Sequence, residues 1–379
     1  MKRFISMMLS VVMVISGYGY DFSGLTNVYA AENTEIKTDN ITESQDISSA
    51  NEYGLADNVA DGVILHAWNW SFSQIMAELP NIAEAGYTAI QTSPIQRNKE
   101  GDNVPDTSAW WKFYQPTNFE IGNKLGTRDQ FKQLCTEAHK YGIKIVVDVV
   151  ANHLANVNGS DGNAKSNRSS EIPDNIRNND DFWHNDNYSG SSDTDRYQMT
   201  HAPIGMPDLN TSNTELQDII LNFLSDAQAC GADGFRFDAA KHIETPSDNG
   251  FGSQFWARVK ETTQKNNPDV FLYGEILNTA GPGGYSDMQK YTPYIRVTNN
   301  KYANNMRDGI KNRNADSAKF TNNDIFGSNG NEWVLWNESH DTYAGDYGEN
   351  TDAEFDDEEM ALAWCVVASR TSPALYFSR

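Results

Sequence analysis

The stretch Ile143-Lys-Ile-Val-Val-Asp-Val-Val150 decides the fold. Its near-continuous apolar run suits a parallel strand covered on both faces, not a strand with one wet side. Upstream, Thr127 and Gln130 form a capping box, and Phe131, Leu134, Cys135 and Ala138 make one helical face that Gly142 ends. Helix followed by buried parallel strand is the repeat of an α/β fold.

The repeat extends in both directions. Strand-like runs occur at Val63–Ala67, Thr88–Ser93, Ile143–Val150, Gly234–Ala239, Val270–Ile276, Tyr294–Thr298, Trp333–Glu338 and Ser372–Phe377. Ser212 with Glu215 opens a helix whose face is Leu216, Ile219, Ile220, Phe223, Leu224 and Ala227. Asp356-Asp357-Glu358-Glu359 opens another, with Leu362, Trp364 and Val366 following; acids there complement the helix dipole better than they make a metal site. Eight strands with helices between them predict a (β/α)₈ TIM barrel rather than an open doubly wound sheet. No GxGxxG or P-loop occurs, and Gly281-Pro-Gly-Gly284 is a loop, so nucleotide chemistry loses support.

About sixty residues rich in Asn, Asp, Ser and Gly separate Val150 from Thr211. A structureless loop of that length inside a domain is improbable. A small domain inserted after the third strand, residues 151–210, is therefore expected, with the barrel on 61–150 and 211–379. The sequence given stops at Arg379, directly after the eighth strand, so the last helix is expected to be missing.

Composition narrows the partners. With 29 Lys+Arg against 52 Asp+Glu, the net charge is −23, which disfavours nucleic acid and anionic lipid. The 9 Trp, 17 Tyr and 17 Phe suit stacking on sugar rings or filling a large core. Residues 1–30 read as a signal peptide: Lys2 and Arg3, an apolar run Phe4–Ile15, and Val28-Tyr29-Ala30 before the cut. A secreted protein, free of the membrane once the leader is removed, follows; a single anchor is the other reading. Residues 31–60 hold one Lys against seven acids and read as a disordered spacer. Cys135, Cys230 and Cys365 have no metal-binding spacing and are expected as buried free thiols on helix faces.

Four strand ends carry polar residues that a core would exclude: Asp148 to Asn152-His153, Arg236 to Asp238 with Lys241-His242, Glu275, and Glu338 to His340-Asp341. Alternation along Phe235-Arg236-Phe237-Asp238 puts Arg236 and Asp238 on one face, pointing into the barrel mouth. Arg236 is expected to lower the pKa of Asp238, as suits a nucleophile. Glu275 has no basic neighbour in sequence, so burial is expected to keep it protonated, as suits a general acid. Carboxylates, a guanidinium and imidazoles at one mouth match the needs of glycoside hydrolysis.

With these motifs the chain resembles the α-amylase family of glycoside hydrolases, the secreted bacterial members of the Bacillus subtilis type being the nearest likeness. The resemblance runs from Gly62 to Arg379 and includes Leu65-His-Ala-Trp-Asn-Trp70, Gln91-Thr-Ser-Pro94 and Tyr114-Gln-Pro116. It implies Asp238 as nucleophile, Glu275 as acid/base and Asp341 as the third carboxylate. It implies Arg236 orienting Asp238, His153 and His340 on sugar hydroxyls, Tyr114 as stacking platform with Gln115 beside it, and Lys241 and His242 on the leaving-group side. Trp111 is a further stacking candidate, although the relatives usually place a tyrosine there; Trp68 and Trp70 are assigned to core and rim. The resemblance also implies Ca²⁺ held by Asn152, Thr200, Asp208 and the carbonyl of His242. The resemblance also implies a C-terminal β-sandwich, which is expected to be missing together with the last helix.

The expected function is a secreted, retaining, endo-acting α-1,4-glucan hydrolase, acting as a monomer on starch, glycogen and maltooligosaccharides. The alternatives are a transglycosylating or maltooligosaccharide-forming enzyme on the same barrel, or a non-catalytic starch-binding protein.

Overall fold

The computed structural model describes residues 52–100, 107–157, 162–277, 284–314, 332–344, 355–370 and 374–377. The leader, most of the spacer, most of the Gly281–Gly284 loop and residues 345–354 lie outside the described residues.

Eight parallel strands follow one another around a closed barrel: β1 (Val63–Ala67), β2 (Ala89–Thr92), β3 (Lys144–Val150), β4 (Gly234–Asp238), β5 (Phe271–Gly274), β6 (Arg296–Thr298), β7 (Trp333–Trp336) and β8 (Ala374–Phe377). β8 closes the ring on β1 through the register Val63↔Ala374 and Ile64↔Leu375. Every described strand-forming side chain of β1, β2, β4, β5 and β7 is buried, as the apolar runs require.

The helices cover the outside. Phe72–Glu84 starts at a Ser71–Gln74 capping box and Arg128–Lys140 at the expected Thr127–Gln130 box. Helix Thr214–Cys230 is capped one residue later than the sequence suggests. Asn213 Oδ1 accepts from the amides of Glu215 and Leu216, while the Ser212 hydroxyl turns back to Asn210 Oδ1. That helix ends at Gly231 (φ 113°), a left-handed position where a Cβ would meet Cys135 Cβ at 2.7 Å. Helix Asp357–Ala368 has the expected acidic start, with an Asp356–Glu359 capping box. Its buried face is Met360, Ala363, Trp364 and Val367; Leu362 is 53% exposed because it falls outside that stripe. All three cysteines are free, Cys135 and Cys230 buried but Cys365 only half-buried, beside that same exposed face.

The barrel begins before its first strand. Leu55 and Val59, assigned to the spacer, are buried, and Tyr53 packs against Tyr141 with centroids 6.0 Å apart. The two apolar side chains end the solvated spacer earlier than residue 60, because each finds core to cover.

The long connection between β3 and β4 is built of short helical pieces, Asp174–Arg177 and Arg196–His201 the α-helical ones among the described residues. Antiparallel bridges His153↔Asp208 and Trp183↔Leu209 tie its two ends together beside β3. Arg196 fastens it to the chain after β4, donating to the carbonyls of Lys241 (2.6 Å) and Ile243 (3.2 Å) and pairing with Asp248 at 2.8 Å.

Candidate active site

Strand alternation and register assemble the site. Asp148 lies beside Arg236, Val150 beside Asp238, and Arg236 beside Tyr273 in the parallel ladder. Residues two apart share a face, so Asp148, Arg236, Asp238, Tyr273 and Glu275 all turn into the barrel. The other face of β4 carries the expected aromatics, with Phe237 edge-on to Trp256 at 5.1 Å.

Arg236 holds three carboxylates. Its Nη1 donates to Asp148 Oδ1 (2.7 Å) and Asp238 Oδ1 (2.9 Å), and its Nη2 lies 2.9 Å from Glu275 Oε2. Glu275 is therefore not remote from base, as its sequence neighbours suggest; the closed barrel brings the guanidinium to it. One fixed positive charge against three buried carboxyls favours retention of a proton. Burial raises the pKa of Asp238 despite the pull of Arg236, the opposite of the expected lowering, because desolvation outweighs one shared guanidinium. Burial likewise raises Glu275, with Arg236 opposing and Asp238 reinforcing, and pushes Asp148 up to about 7 against Arg236.

The turn after β4 aims Glu275. Ala239, expected to continue the strand, instead takes the left-handed conformation (φ 49°) and donates its N–H to Glu275 Oε2 at 3.1 Å. A non-glycine residue there costs on the order of 1–2 kcal/mol, a strain located at the functional end of the strand. Gly274, just before Glu275, leaves no room for a side chain: a Cβ would meet Ala240 Cβ at 2.6 Å and Ile295 Cδ1 at 2.8 Å.

Above this cluster lies a cleft of about 400 Å³ whose walls include Trp111, Tyr114, Gln115, His153, Asp238, Lys241, His242, Glu275, His340 and Asp341. Every residue singled out for chemistry or sugar binding thus lines one cleft, except Arg236, which lies buried beneath it. The imidazoles are held neutral by burial: His153 down to about 4, His242 to about 3, His340 well below its ordinary value. His153 Nε2 is 2.9 Å from the Tyr114 carbonyl, so it carries the proton, leaving Nδ1 as a buried acceptor. His242 Nδ1 donates to the Met199 carbonyl at 2.8 Å, and Lys241 Nζ reaches Asp193 at 2.9 Å, so the long connection positions both. Gln115 Oε1 accepts from Lys99 Nζ at 3.5 Å.

Tyr114 does more than the sequence indicates. Its hydroxyl donates to Asp148 Oδ2 at 2.9 Å and its ring stacks on His340, centroids 4.8 Å apart. Trp111 is 39% exposed, free to meet a ligand, whereas Trp68 is buried and Trp70 half-buried, as expected. The structure adds Asp148, a strand-end acid given no role from sequence, and His66, edge-on to His340 at 5.5 Å and lowered to about 3 by burial and Arg236. Asp148 had a sequence signal, a charge inside an apolar strand. His66 stood only within the Leu65–Trp70 stretch of the resemblance and was given no role.

The four residues implied for Ca²⁺ are brought together only in part. The Leu209 amide, next to Asp208, donates to the Asn152 carbonyl at 2.8 Å, and Asp208 Oδ1 is buried without a hydrogen-bond partner among the described residues. Asn152 Oδ1 is buried without a partner among the described residues. A partnerless buried oxygen beside a carboxylate fits a hard cation. Thr200 fits less well: its hydroxyl is 3.2 Å from the carbonyls of Arg196 and Tyr197 in its own helix. His242 would offer its carbonyl, its ring being engaged with Met199.

A closed eight-stranded barrel presenting three carboxyls and neutral imidazoles at the C-terminal ends of its strands is a barrel enzyme equipped for acid–base chemistry. Residues 71–301 match the family described as "Alpha amylase, catalytic domain". An α-amylase of Clostridium acetobutylicum is 36% identical over 98% of this chain and 45% of its own length. One of Butyrivibrio fibrisolvens is 33% identical over 85% of this chain and 35% of its own. In fold, the chain is similar to the α-amylase of Geobacillus thermoleovorans solved with acarbose, at a TM-score of 0.65 and 18% identity over 84% of this chain and 70% of that one. The chain belongs to the α-amylase family of glycoside hydrolases. It spans less than half the length of the two curated relatives.

Proposed function

We propose that this chain is the catalytic part of a secreted, retaining, endo-acting α-1,4-glucan hydrolase that degrades starch, glycogen and maltooligosaccharides. The observation that carries the reading is the convergence of Asp238, Glu275 and Asp341 on one cleft, with Arg236 paired to the first two from below. The leader read at residues 1–30 motivates export, and the net charge of −23 suits a neutral polysaccharide. Acarbose in the Geobacillus relative suits an α-glucan ligand.

In this reading the Asp238 carboxylate attacks the anomeric carbon as Glu275 gives its proton to the departing glycosidic oxygen. Glu275, now an anion, is stabilised by Arg236 Nη2 and the Ala239 amide, and then takes a proton from the water that releases the sugar from Asp238. Asp341 adds negative charge beside the positive transition state, and His340 Nε2 lies 3.4 Å from its Oδ1. Neutral His340 offers its Nε2 to a sugar hydroxyl, and neutral His153, its Nε2 bonded to the Tyr114 carbonyl, lines the same wall; neither opposes that positive charge. Trp111 and Tyr114 supply aromatic surface. A Ca²⁺ ion on Asn152, Asp208 and the carbonyls near Thr200 and His242 would brace the long connection against β3; chelation should then lower the unfolding temperature.

The test is Glu275→Gln on soluble starch. Loss of a general acid should lower kcat by roughly 10²–10⁴-fold; unchanged hydrolysis would remove Glu275 from the role. Raising the pH should also lower activity as Glu275 loses the proton that burial helps it keep. Linear oligosaccharides are the expected products, and cyclic or branched ones would point to transglycosylation.

A further inference from the structure

The β3–β4 connection gathers a second chemical cluster, separate from the cleft. His184 Nε2 lies 3.0 Å from Glu244 Oε1, and His201 Nε2 lies 3.9 Å from the same oxygen. Ligand atoms of these three buried residues lie within 4.8 Å of one another.

The far side of each ligand is already held. His184 Nδ1 is 2.6 Å from Asp208 Oδ2. His201 Nδ1 is 3.1 Å from the Tyr197 carbonyl and 2.9 Å from the Thr200 hydroxyl. Glu244 Oε2 accepts from the Thr211 hydroxyl. With both rings protonated at Nδ1, their Nε2 lone pairs turn toward Glu244 Oε1. Orientation of ligand imidazoles by carboxylate and carbonyl partners is how metal-binding histidines are set. The two rings stack face to face, centroids 4.0 Å apart, and Tyr197 stacks on His201 at 3.9 Å.

The donor set selects the ion. Two imidazole nitrogens and one carboxylate oxygen suit a borderline divalent cation that accepts four ligands at about 2.0–2.2 Å. A hard cation asks for six to eight oxygens instead. We infer that His184, His201 and Glu244 form a binding site for a divalent transition-metal ion of the zinc class, which staples the long connection to the chain following β4. This site is additional to the calcium ligands proposed above. Asp208 contributes to His184 through Oδ2 only, and none of the three zinc-class ligands belongs to the calcium set.

The test is Co²⁺ titration of the full chain with Ca²⁺ saturating in every sample. Metal binding is its readout, so it stands apart from starch hydrolysis and from calcium. Folded wild-type protein should bind one equivalent and develop a visible d–d band that Zn²⁺ abolishes. His201→Ala and Glu244→Gln should each weaken Zn²⁺ binding by at least tenfold. Absence of the band in folded wild-type protein would overturn the inference without recourse to any variant. So would a band that survives both substitutions unchanged.

Discussion

Two buried clusters of carboxyls, one beneath the cleft and one within the β3–β4 connection, solve the same problem with different cations. Under the cleft, Asp148, Asp238 and Glu275 share Arg236, whose charge cannot be titrated away in the working range of a protein. In the connection, Asp208 and Glu244 share His184, whose ring lies 2.6 Å from one and 3.0 Å from the other. Burial opposes charging of that ring, but the two carboxyls outweigh it and hold its pKa up at about 10. A proton on His184 can be exchanged for a metal ion, and Arg236 offers no such exchange. A fixed cation suits a site where protons must move between carboxyls; an exchangeable one suits a structural joint.

The comparison breaks most readily at its cations. Arg236→Met leaves three carboxyls buried without their partner, and stability should fall by about 3–5 kcal/mol, measured by denaturant unfolding. His184→Gln in metal-free protein keeps a donor for one carboxyl and should cost less, about 1.5–3 kcal/mol. Equal losses would erase the distinction between the two clusters. A smaller effect sharpens the first cluster: Gly274→Ala forces a methyl against Ala240 and Ile295, costing about 1–3 kcal/mol. Because it also displaces Glu275, kcat should drop more than KM changes. Smallest is the cap of helix Thr214–Cys230, where Asn213→Ala should cost about 1 kcal/mol and Ser212→Ala less than half of that.

That last pair shows where sequence reading falls short. Ser212 and Asn213 are both good caps, and only the backbone path after Thr211 decides between them. The barrel itself was legible because Ile143–Val150 and its seven counterparts carry their burial in composition, and strand ends mark where chemistry sits. The carboxyls, imidazoles and Lys241 of the cleft were legible for the same reason, whereas Trp111, Tyr114 and Gln115 came only from the resemblance. The balance of charge among them was not: Glu275 and Arg236 are far apart in sequence but 2.9 Å apart in space, and desolvation reverses the expected shift at Asp238. Nor could local pattern expose the His184–His201–Glu244 cluster, whose members come from an irregular connection and from the turn after β4. Ala239 was hidden too, since nothing in its chemistry announces a left-handed backbone.

The central claim is that Asp238 forms the covalent bond while Glu275 moves the proton, and one measurement reaches it directly. A maltosyl fluoride needs no acid to depart, so with Glu275→Gln the first step should proceed and the second, deprived of its base, should stall. Mass spectrometry of the quenched protein should then find one maltosyl unit on the peptide that contains Asp238. A maltosyl unit on another peptide, or turnover of the fluoride with inversion and no adduct, would contradict the account.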